Sequence, residues 1–410
     1  MNACIWYISK YVTRPPIGNV GLRGFLILRA MSRLGHRAVI LTSDSSHLNS
    51  APAFEGRFLD ETVDGVTIRW IHTRKYDRAL SVGRVLSWID FEWQLFRLRK
   101  TSLPRPDVVI VSSLSLLTIF NGLWLRHRYG CRLVFEVRDI WPLTIIEEGG
   151  FSARNPLVVA LRAVEKVAYR FADEIVGTMP NLQQHVDESM KQHAPVHCIP
   201  FGADAEMLEQ SKPMPADWVE ANIPKDRFLV CHAGTIGITN ALDTLFACAR
   251  AMKDHSDIHF LIVGEGGLRG HYEALCSDLP NVTFTGPVPK DSVLTVLGKC
   301  DLLYFSTHPS RVWNYGLSLN KVIDYMLAGK PITASYTGYP TMVEEAGAGT
   351  SVPAGDAAAL KTEILRFKAL PPHELQTIGE RGRTWLLQNR SYQRLAEDYL
   401  ALALRDRVVT

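Results

Sequence analysis

The sequence predicts an α/β protein of two doubly wound, parallel-sheet domains, and three observations carry that expectation. Apolar runs of strand length alternate with amphipathic stretches of helix length along nearly all 410 residues. The alternation breaks once, in a stiff, poorly periodic stretch marked by Lys212-Pro213-Met214-Pro215 and Ile223-Pro224, and restarts at Phe228. An apolar content of 47% is enough to fill two cores of ordinary size.

The same composition excludes several classes. A net charge of +3, with no basic run carrying interleaved base-stacking aromatics, gives no footprint for nucleic acid. Seven cysteines form no C-x-x-C pair and have no histidines at ligand spacing, which points to a reducing compartment and no zinc site. The apolar start at Cys4–Ile8 is too short for a signal peptide, and Lys10 follows it. Val108 to Leu125 is uncharged, but it holds Ser112, Ser113, Ser115, Asn121 and Gly122 and divides into a strand and a buried helix rather than a membrane span.

In chain order, a strand at Cys4–Ile8 leads through a Gly18-Asn19-Val20-Gly21 loop to a helix ending near Gly35, then to a strand from Ala38. Small residues at a helix start suit close approach of a phosphate or sugar. The loop is not a G-x-G-x-x-G dinucleotide fingerprint, so a nicotinamide cofactor is disfavoured. Val63–Ile71 reads as one extended run. Arg74 to Arg105 then carries eight Lys/Arg against three Asp/Glu, with Val85, Trp88, Ile89, Glu92, Trp93 and Phe96 on one helical face and Arg84, Arg97, Arg99 and Lys100 flanking it. That pattern fits a core helix with a basic solvated side; it equally fits docking on an anionic bilayer through Trp88, Trp93 and Arg97.

Strand Val108–Val111, helix Leu114–Arg128 and strand Arg132–Val137 continue the alternation, and Arg138 and Asp139 fall where a parallel strand opens on a ligand crevice. They are either a functional pair or a simple salt bridge. Helix Pro156–Phe171, strand Glu174–Gly177, a helix from Pro180 and strand Val196–Ile199 complete the first domain. After the linker come strand Phe228–Ala233, the glycine-bounded loop Gly234-Thr235-Ile236-Gly237, helix Asn240–Met252, strands Ile258–Val263 and Val282–Thr285, and helix Asp291–Lys299. The stretch from Ser310 to Pro331 lies between two apolar strands and starts a helix with Lys321 and Asp324 on one face. Free N–H groups and the helix dipole favour an anionic ligand there. A last amphipathic helix, Tyr392–Leu404, is long enough to pack back across the chain.

Taken together, these residues resemble the GT-B glycosyltransferases, in particular family four of the retaining sugar-nucleotide enzymes. The resemblance covers essentially the whole chain. It runs from the Gly18 loop through Ile199-Pro200-Phe201-Gly202-Ala203-Asp204, Val263-Gly264-Glu265-Gly266 and Asn281–Gly286 to Asp324-Tyr325-Met326-Leu327-Ala328-Gly329-Lys330-Pro331. Ser318-Leu319-Asn320-Lys321 is similar to bacterial amino-sugar transferases of surface-polysaccharide assembly, the fucosamine transferases among them.

The resemblance implies two Rossmann-like domains facing across a cleft: an acceptor-side domain over 1–203, a nucleotide-sugar domain over 204–388, and a crossing C-terminal helix over 389–410. It implies retaining transfer of an N-acetylated deoxyamino sugar from a nucleoside diphosphate, UDP by expectation, to a polyprenyl-diphosphate-linked glycan. The expected place is the cytoplasmic face of the membrane, with no metal or other cofactor.

Two departures stand out. The first of the two family glutamates falls on Gly316, and the usual Arg and Lys of the diphosphate loop are Thr235 and Asn240. Arg311 and Lys321 are the expected replacement cations, and together with Arg138 and Asp139 they form the expected catalytic group. Donor contacts are expected from Gly18, Asn19, Gly234, Thr235, Gly237, Glu265, Pro287, Val288, Ser318, Asn320 and Asp324. A sugar-nucleotide epimerase or a non-catalytic partner subunit would share the framework.

Overall fold

The computed structural model describes residues 2–15, 21–46, 51–76, 82–113 and 115–405. The chain divides into two compact units, residues 1–200 with 392–410, and residues 201–391. The first holds strands β1 (Cys4–Ile8), β2 (Arg37–Ser43), β3 (Phe58–Val63), β4 (Val66–Ile71), β5 (Val108–Ser112), β6 (Arg132–Val137), β7 (Glu174–Gly177) and β8 (Val196–Cys198). They form one sheet in the order β3-β4-β2-β1-β5-β6-β7-β8, parallel except for the β3–β4 pair.

The second unit has β9 (Phe228–Ala233), β10 (Ile258–Val263), β11 (Val282–Gly286), β12 (Leu302–Ser306), β13 (Ile332–Ser335) and β14 (Gly349–Val352) in the all-parallel order β11-β10-β9-β12-β13-β14. Strands β1, β5, β10 and β12 are buried at every position, as strands covered by helices on both faces must be.

The expected α/β class and paired parallel sheets hold. Strands β6, β7, β9 and β10 and the helix Pro156–Phe171 fall at the residues expected of them. One correction concerns Val63–Ile71, which is not a single strand. Asp64 and Gly65 have φ of 49° and 78°, so the chain reverses there in a two-residue hairpin that makes β3 and β4 antiparallel partners. Two helices start later than expected, at Thr118 and at Asp243. The second delay has a visible cause: Ala241 sits in the left-handed region at φ 44°, after a 3₁₀ turn over Ile238–Asn240, and no helix passes through it. The uncharged stretch from Val108 is strand followed by helix, and among the described residues no helix is long and apolar enough to cross a membrane.

The first unit is organised around a buried carboxylate. Glu136, fully buried near the end of β6, accepts hydrogen bonds from Tyr7 Oη of β1, from Arg23 Nε at 3.1 Å, and from Tyr399 Oη at 2.6 Å. Arg23 opens the helix Arg23–Arg33, and its two terminal nitrogens donate to the carbonyls of Ile199, at 2.5 Å, and Pro200. Tyr399 belongs to the helix Tyr392–Ala403, which packs with Leu395, Ala396 and Leu402 into the same core as Phe25, Leu28 and Ile40. Burial alone would raise the Glu136 carboxyl. The guanidinium of Arg23, then that of Arg138, and the two phenols outweigh it and hold the pKa below the ordinary value.

This network predicts two graded losses. Glu136→Gln keeps the shape but strands the buried Arg23 charge, which costs about 3–5 kcal/mol. Tyr399→Phe removes one hydrogen bond to a charged group, about 1.5–3 kcal/mol. Because the native Glu136 pKa is depressed, its contribution is present above the unfolded carboxyl pKa and is lost as pH falls through the native one. Urea titrations of both variants should therefore show the gap from wild type constant near pH 7 and narrowing progressively as pH falls below about 4.5.

Candidate functional site

In the second unit the C-terminal ends of β9, β10 and β12 meet the helix Asn320–Ala328. The turn after β9 and the turn after β10 touch backbone to backbone. A Cβ on Gly264 would stand 1.9 Å from the Gly234 carbonyl oxygen, and one on Gly266 would stand 2.2 Å from that of Ile236, so only glycine fits at either place. The contact also occupies two of the N–H groups expected to face a ligand. Gly234 donates to Val263 at 2.9 Å and Ile236 to Glu265 at 2.9 Å, so these two N–H groups are not available to a ligand. The N–H groups of Thr235 and Gly237 make no such bond among the described residues.

Lys321 and Tyr325 are one turn apart on the helix Asn320–Ala328 and both reach the tip of β9. Tyr325 Oη accepts from the Ala233 N–H at 2.8 Å and donates to the Ala233 carbonyl at 3.0 Å. At the far end of this helix Arg383 caps the carbonyls of Leu327 and Ala328, each at 2.7 Å, where a cation offsets the dipole.

Held this way, Lys321 Nζ donates to Asn240 Oδ1. Asn240 is itself fixed, with Nδ2 bonded to the Thr235 carbonyl at 2.6 Å and its own carbonyl accepting from Ser306 Oγ at 2.7 Å. The lysine thus extends into the very loop whose usual cations are replaced here by Thr235 and Asn240. No carboxylate pairs with it among the described residues, and burial pushes its pKa down to about 8. A desolvated cation with a neutral partner is a strong attractor for an anionic ligand.

His232 completes the group. It is fully buried at the end of β9, and its Nε2 lies on the same side of Gly234 as the Lys321 ammonium: a Cβ on Gly234 would be 3.7 Å from the first and 3.5 Å from the second. Burial, and then the Lys321 charge, hold its pKa well below the ordinary value, so the ring is neutral. Nδ1 lies 3.3 Å from the Tyr304 carbonyl, to which it can donate, and Nε2 is buried with no hydrogen-bond partner among the described residues. The sequence placed His232 only within a strand.

The other expected donor residues are distributed around this centre. Asp324 pairs with Lys290, which follows Pro287 and Val288. Ser318 Oγ is buried without a partner, Thr235 and Asn320 are exposed, and Glu265 pairs with Arg269 at 2.6 Å. Arg311 is exposed at the start of the 3₁₀ turn Arg311–Tyr315. That turn ends on Gly316 at φ 114°, a conformation in which the family glutamate would be strained.

Arg138 and Asp139 belong to the first unit. Arg138 is buried, donates its N–H to Ser113 Oγ at 3.0 Å, and lends its charge to Glu136. Asp139 is half-buried, and that burial raises its carboxyl despite Arg138. Gly18 and Asn19 lie outside the described residues.

On the helix Val82–Arg97 the expected apolar face is divided. Trp88 is turned inward, donating from Nε1 to Tyr11 Oη at 2.6 Å and meeting Trp141 edge-on, so it is corrected from a docking residue to a core one. Glu92 also turns inward. Its carboxylate accepts from Ser115 at 3.1 Å, Thr118 at 2.6 Å and Asn121 at 2.7 Å, while burial lifts its pKa to about 7. Trp93 and Arg97 remain exposed, with the guanidinium 5.6 Å from the indole centroid.

A cation beside a glycine-walled turn, at the strand ends of a second parallel-sheet unit, is an arrangement suited to an anionic ligand. Residues 26–202 match the family model described as "Glycosyl transferase 4-like domain", and residues 227–369 match "Glycosyl transferases group 1". The chain belongs to the group 1 glycosyltransferases, and its fold is GT-B.

Among known proteins it is similar to the probable glycosyltransferase WbjE of Pseudomonas aeruginosa, at 23% identity over 311 residues, 73% of this chain and 75% of that one. Its fold is similar to that of sucrose-phosphate synthase from Thermosynechococcus elongatus, with a TM-score of 0.72, 17% identity and 100% of each chain covered. It is also similar to that of HepE of Anabaena in complex with UDP and glucose, with a TM-score of 0.63, 15% identity and 97% and 98% of the two chains covered.

Lys321 has a measurable signature. Its folded pKa of about 8 lies below the unfolded value of 10.5, so from pH 8 to pH 10.5 the unfolded chain binds a proton that the folded chain does not. Stability contributed by this site therefore rises with pH across that window, and below it the buried charge is a fixed cost. Lys321→Met should remove that cost and raise the unfolding temperature at pH 7 by about 5 °C. A scanning-calorimetry trace in which the variant is less stable than wild type would contradict the assignment.

Proposed function

We propose that this glycosyltransferase moves a sugar from a nucleoside-diphosphate donor to a lipid-linked glycan, with retention of configuration, at the inner face of the cytoplasmic membrane. The observation that carries the reading is the half-buried Lys321, which has no counterion among the described residues and is held by Asn240 in the loop after β9. Departure of a sugar from its diphosphate is limited by charge building on the leaving phosphate, so a preorganised cation in a dry site does most to lower the barrier. The N–H groups of Thr235 and Gly237 are assigned to the same phosphates, and Asp324 to the ribose hydroxyls once a donor separates it from Lys290. Arg138 and Asp139, with the Gly18–Asn19 loop, are assigned to the transferred sugar and the acceptor.

In the reaction the bond from the anomeric carbon to the diphosphate oxygen breaks, and the bond to the acceptor oxygen forms on the same face. The acceptor proton passes to the leaving phosphate, so no separate protein base is required. UDP is the proposed nucleotide, a choice supported by HepE, which is described in complex with UDP. An N-acetylated deoxyamino sugar and a polyprenyl-diphosphate glycan of surface polysaccharide are supported by the likeness of Ser318–Lys321 to amino-sugar transferases. We assign the electrostatic role to Lys321 rather than to a resident metal, and transfer that persists in EDTA is the expected outcome.

Thermal-shift titration of wild type and Lys321→Ala with UDP, GDP, ADP and dTDP tests the donor site. A ligand at a hundred times its dissociation constant stabilises the folded state by about 2.7 kcal/mol. A shift with UDP alone that vanishes in the variant is expected, and wild-type affinity should weaken as pH rises through about 8 and the ammonium is lost. A wild type that responds to none of the four overturns the reading.

A further inference from the structure

The division of the helix Val82–Arg97 leaves an apolar surface that the core does not use. Ser87, Trp88, Phe91 and Leu95 are buried, whereas Leu86, Ile89, Trp93 and Phe96, which also recur at helical spacing, face outward. Ile89 is 52% exposed and Trp93 54%, values at which a large side chain gains little from the fold. The helix Thr118–Tyr129 extends the patch. Trp124 meets Phe96 edge-on at 5.3 Å, and Phe120, one turn before Trp124, is 49% exposed. Trp93 and Phe96 stack at 6.4 Å. Six apolar side chains on two helices thus form one continuous outward surface, not scattered exposures of the kind any protein carries.

The exposed charges beside it are mostly basic. Arg97 lies over the Trp93 ring, and Arg99 is exposed just beyond the helix. On the other flank Arg74 lines a groove of about 480 Å³ together with Leu86, Ile89, Asp90 and Trp93, and Lys75, also in the lining, is paired with Asp44 at 2.7 Å. Two acids are nearby: Asp90 accepts from the Arg74 N–H at 2.7 Å and from Gln94 at 3.2 Å, and the half-buried Glu92 turns its carboxylate toward Ser115, Thr118 and Asn121. Lys100, expected on the basic flank, is instead buried and caps the helix through the Leu95 and Leu98 carbonyls at 2.5 and 3.0 Å.

We infer that this surface docks on an anionic lipid bilayer, with Trp93, Phe96 and Phe120 entering the interface and Arg97, Arg99 and Arg74 meeting the head groups. Charge complementarity selects this occupant. Indoles beside guanidinium groups are the composition the interfacial layer favours, and surface cations add attraction that salt weakens. The inference deepens the reading of a lipid-linked acceptor, but it stands on the surface alone and is measured without any sugar substrate.

The test is cosedimentation of the full chain with phosphatidylcholine vesicles and with vesicles containing phosphatidylglycerol, at low and high salt. Wild type should bind the anionic vesicles and be released by salt. Trp93→Ser with Phe96→Ser should weaken binding by about tenfold or more. Arg97→Glu should weaken it by about fivefold or more and flatten the salt dependence. These side chains are outside the core, and an unchanged unfolding temperature and UDP shift in each variant confirm an intact fold and donor site.

Wild type that ignores anionic vesicles while still binding UDP overturns the docking surface and leaves the transferase reading standing. Loss of the UDP response with vesicle binding retained does the reverse. A concentration-dependent dimer that disappears in the Trp93→Ser, Phe96→Ser variant, without vesicle binding, would reassign the patch to a second copy of this chain.

Discussion

The carboxylate of Glu136 is the constraint around which the first unit is built. A charge with no solvent exposure survives only if it is hydrogen-bonded and paired, and the three donors that meet it come from strand β1, from the first helix and from the last helix of the chain. Arg23 then turns the same charge to a second use by gripping the carbonyls of Ile199 and Pro200, where the chain leaves this unit. The departure at Pro200 and the return at Tyr392 are both anchored by residues bonded to one side chain. Replacing such a network with apolar residues can be energetically neutral. What the network adds is position, since a carboxylate with three fixed donors allows one register of helix on sheet.

The site in the second unit reverses that logic. Lys321 is half-buried, has no counterion among the described residues and sits against the neutral His232, so the folded chain carries an unmet charge at the place proposed for a diphosphate. The supporting shell is fully bonded: Asn240, Tyr325, Ser306 and the Arg383 cap all have partners. Satisfied neighbours hold an unsatisfied centre, which is how a binding site keeps its geometry while staying open to ligand.

Much of this is legible in the sequence, and the failures have physical causes. The strands β6, β7, β9 and β10 are readable because each is a short apolar run bounded by glycine, proline or charge. The β3–β4 hairpin escapes although Asp64-Gly65 is a standard hairpin turn, because the flanking run reads as extended on both sides. The apolar face expected of Val82–Arg97 straddles the boundary of two real faces. Periodicity groups apolar residues but does not say which half meets the core, and the answer comes from Ser115, Thr118 and Asn121, which draw Glu92 inward from a separate helix. Lys321 is signalled by its motif and its spacing from Asp324. Its bond to Asn240, 81 positions away, and the companion His232 carry no local signal, since a histidine closing an apolar strand reads as core.

The placement of the helix Tyr392–Ala403 has a consequence for how the protein is made. The second unit is contiguous in sequence and can fold as soon as it leaves the ribosome. The first is emitted earlier but lacks Leu395, Tyr399 and Leu402 until some 190 further residues have been translated, a wait of roughly ten to forty seconds at 5–20 residues per second. During that interval Phe25, Leu28 and their neighbours lack the helix that covers them, so the unit begun first is the one completed last.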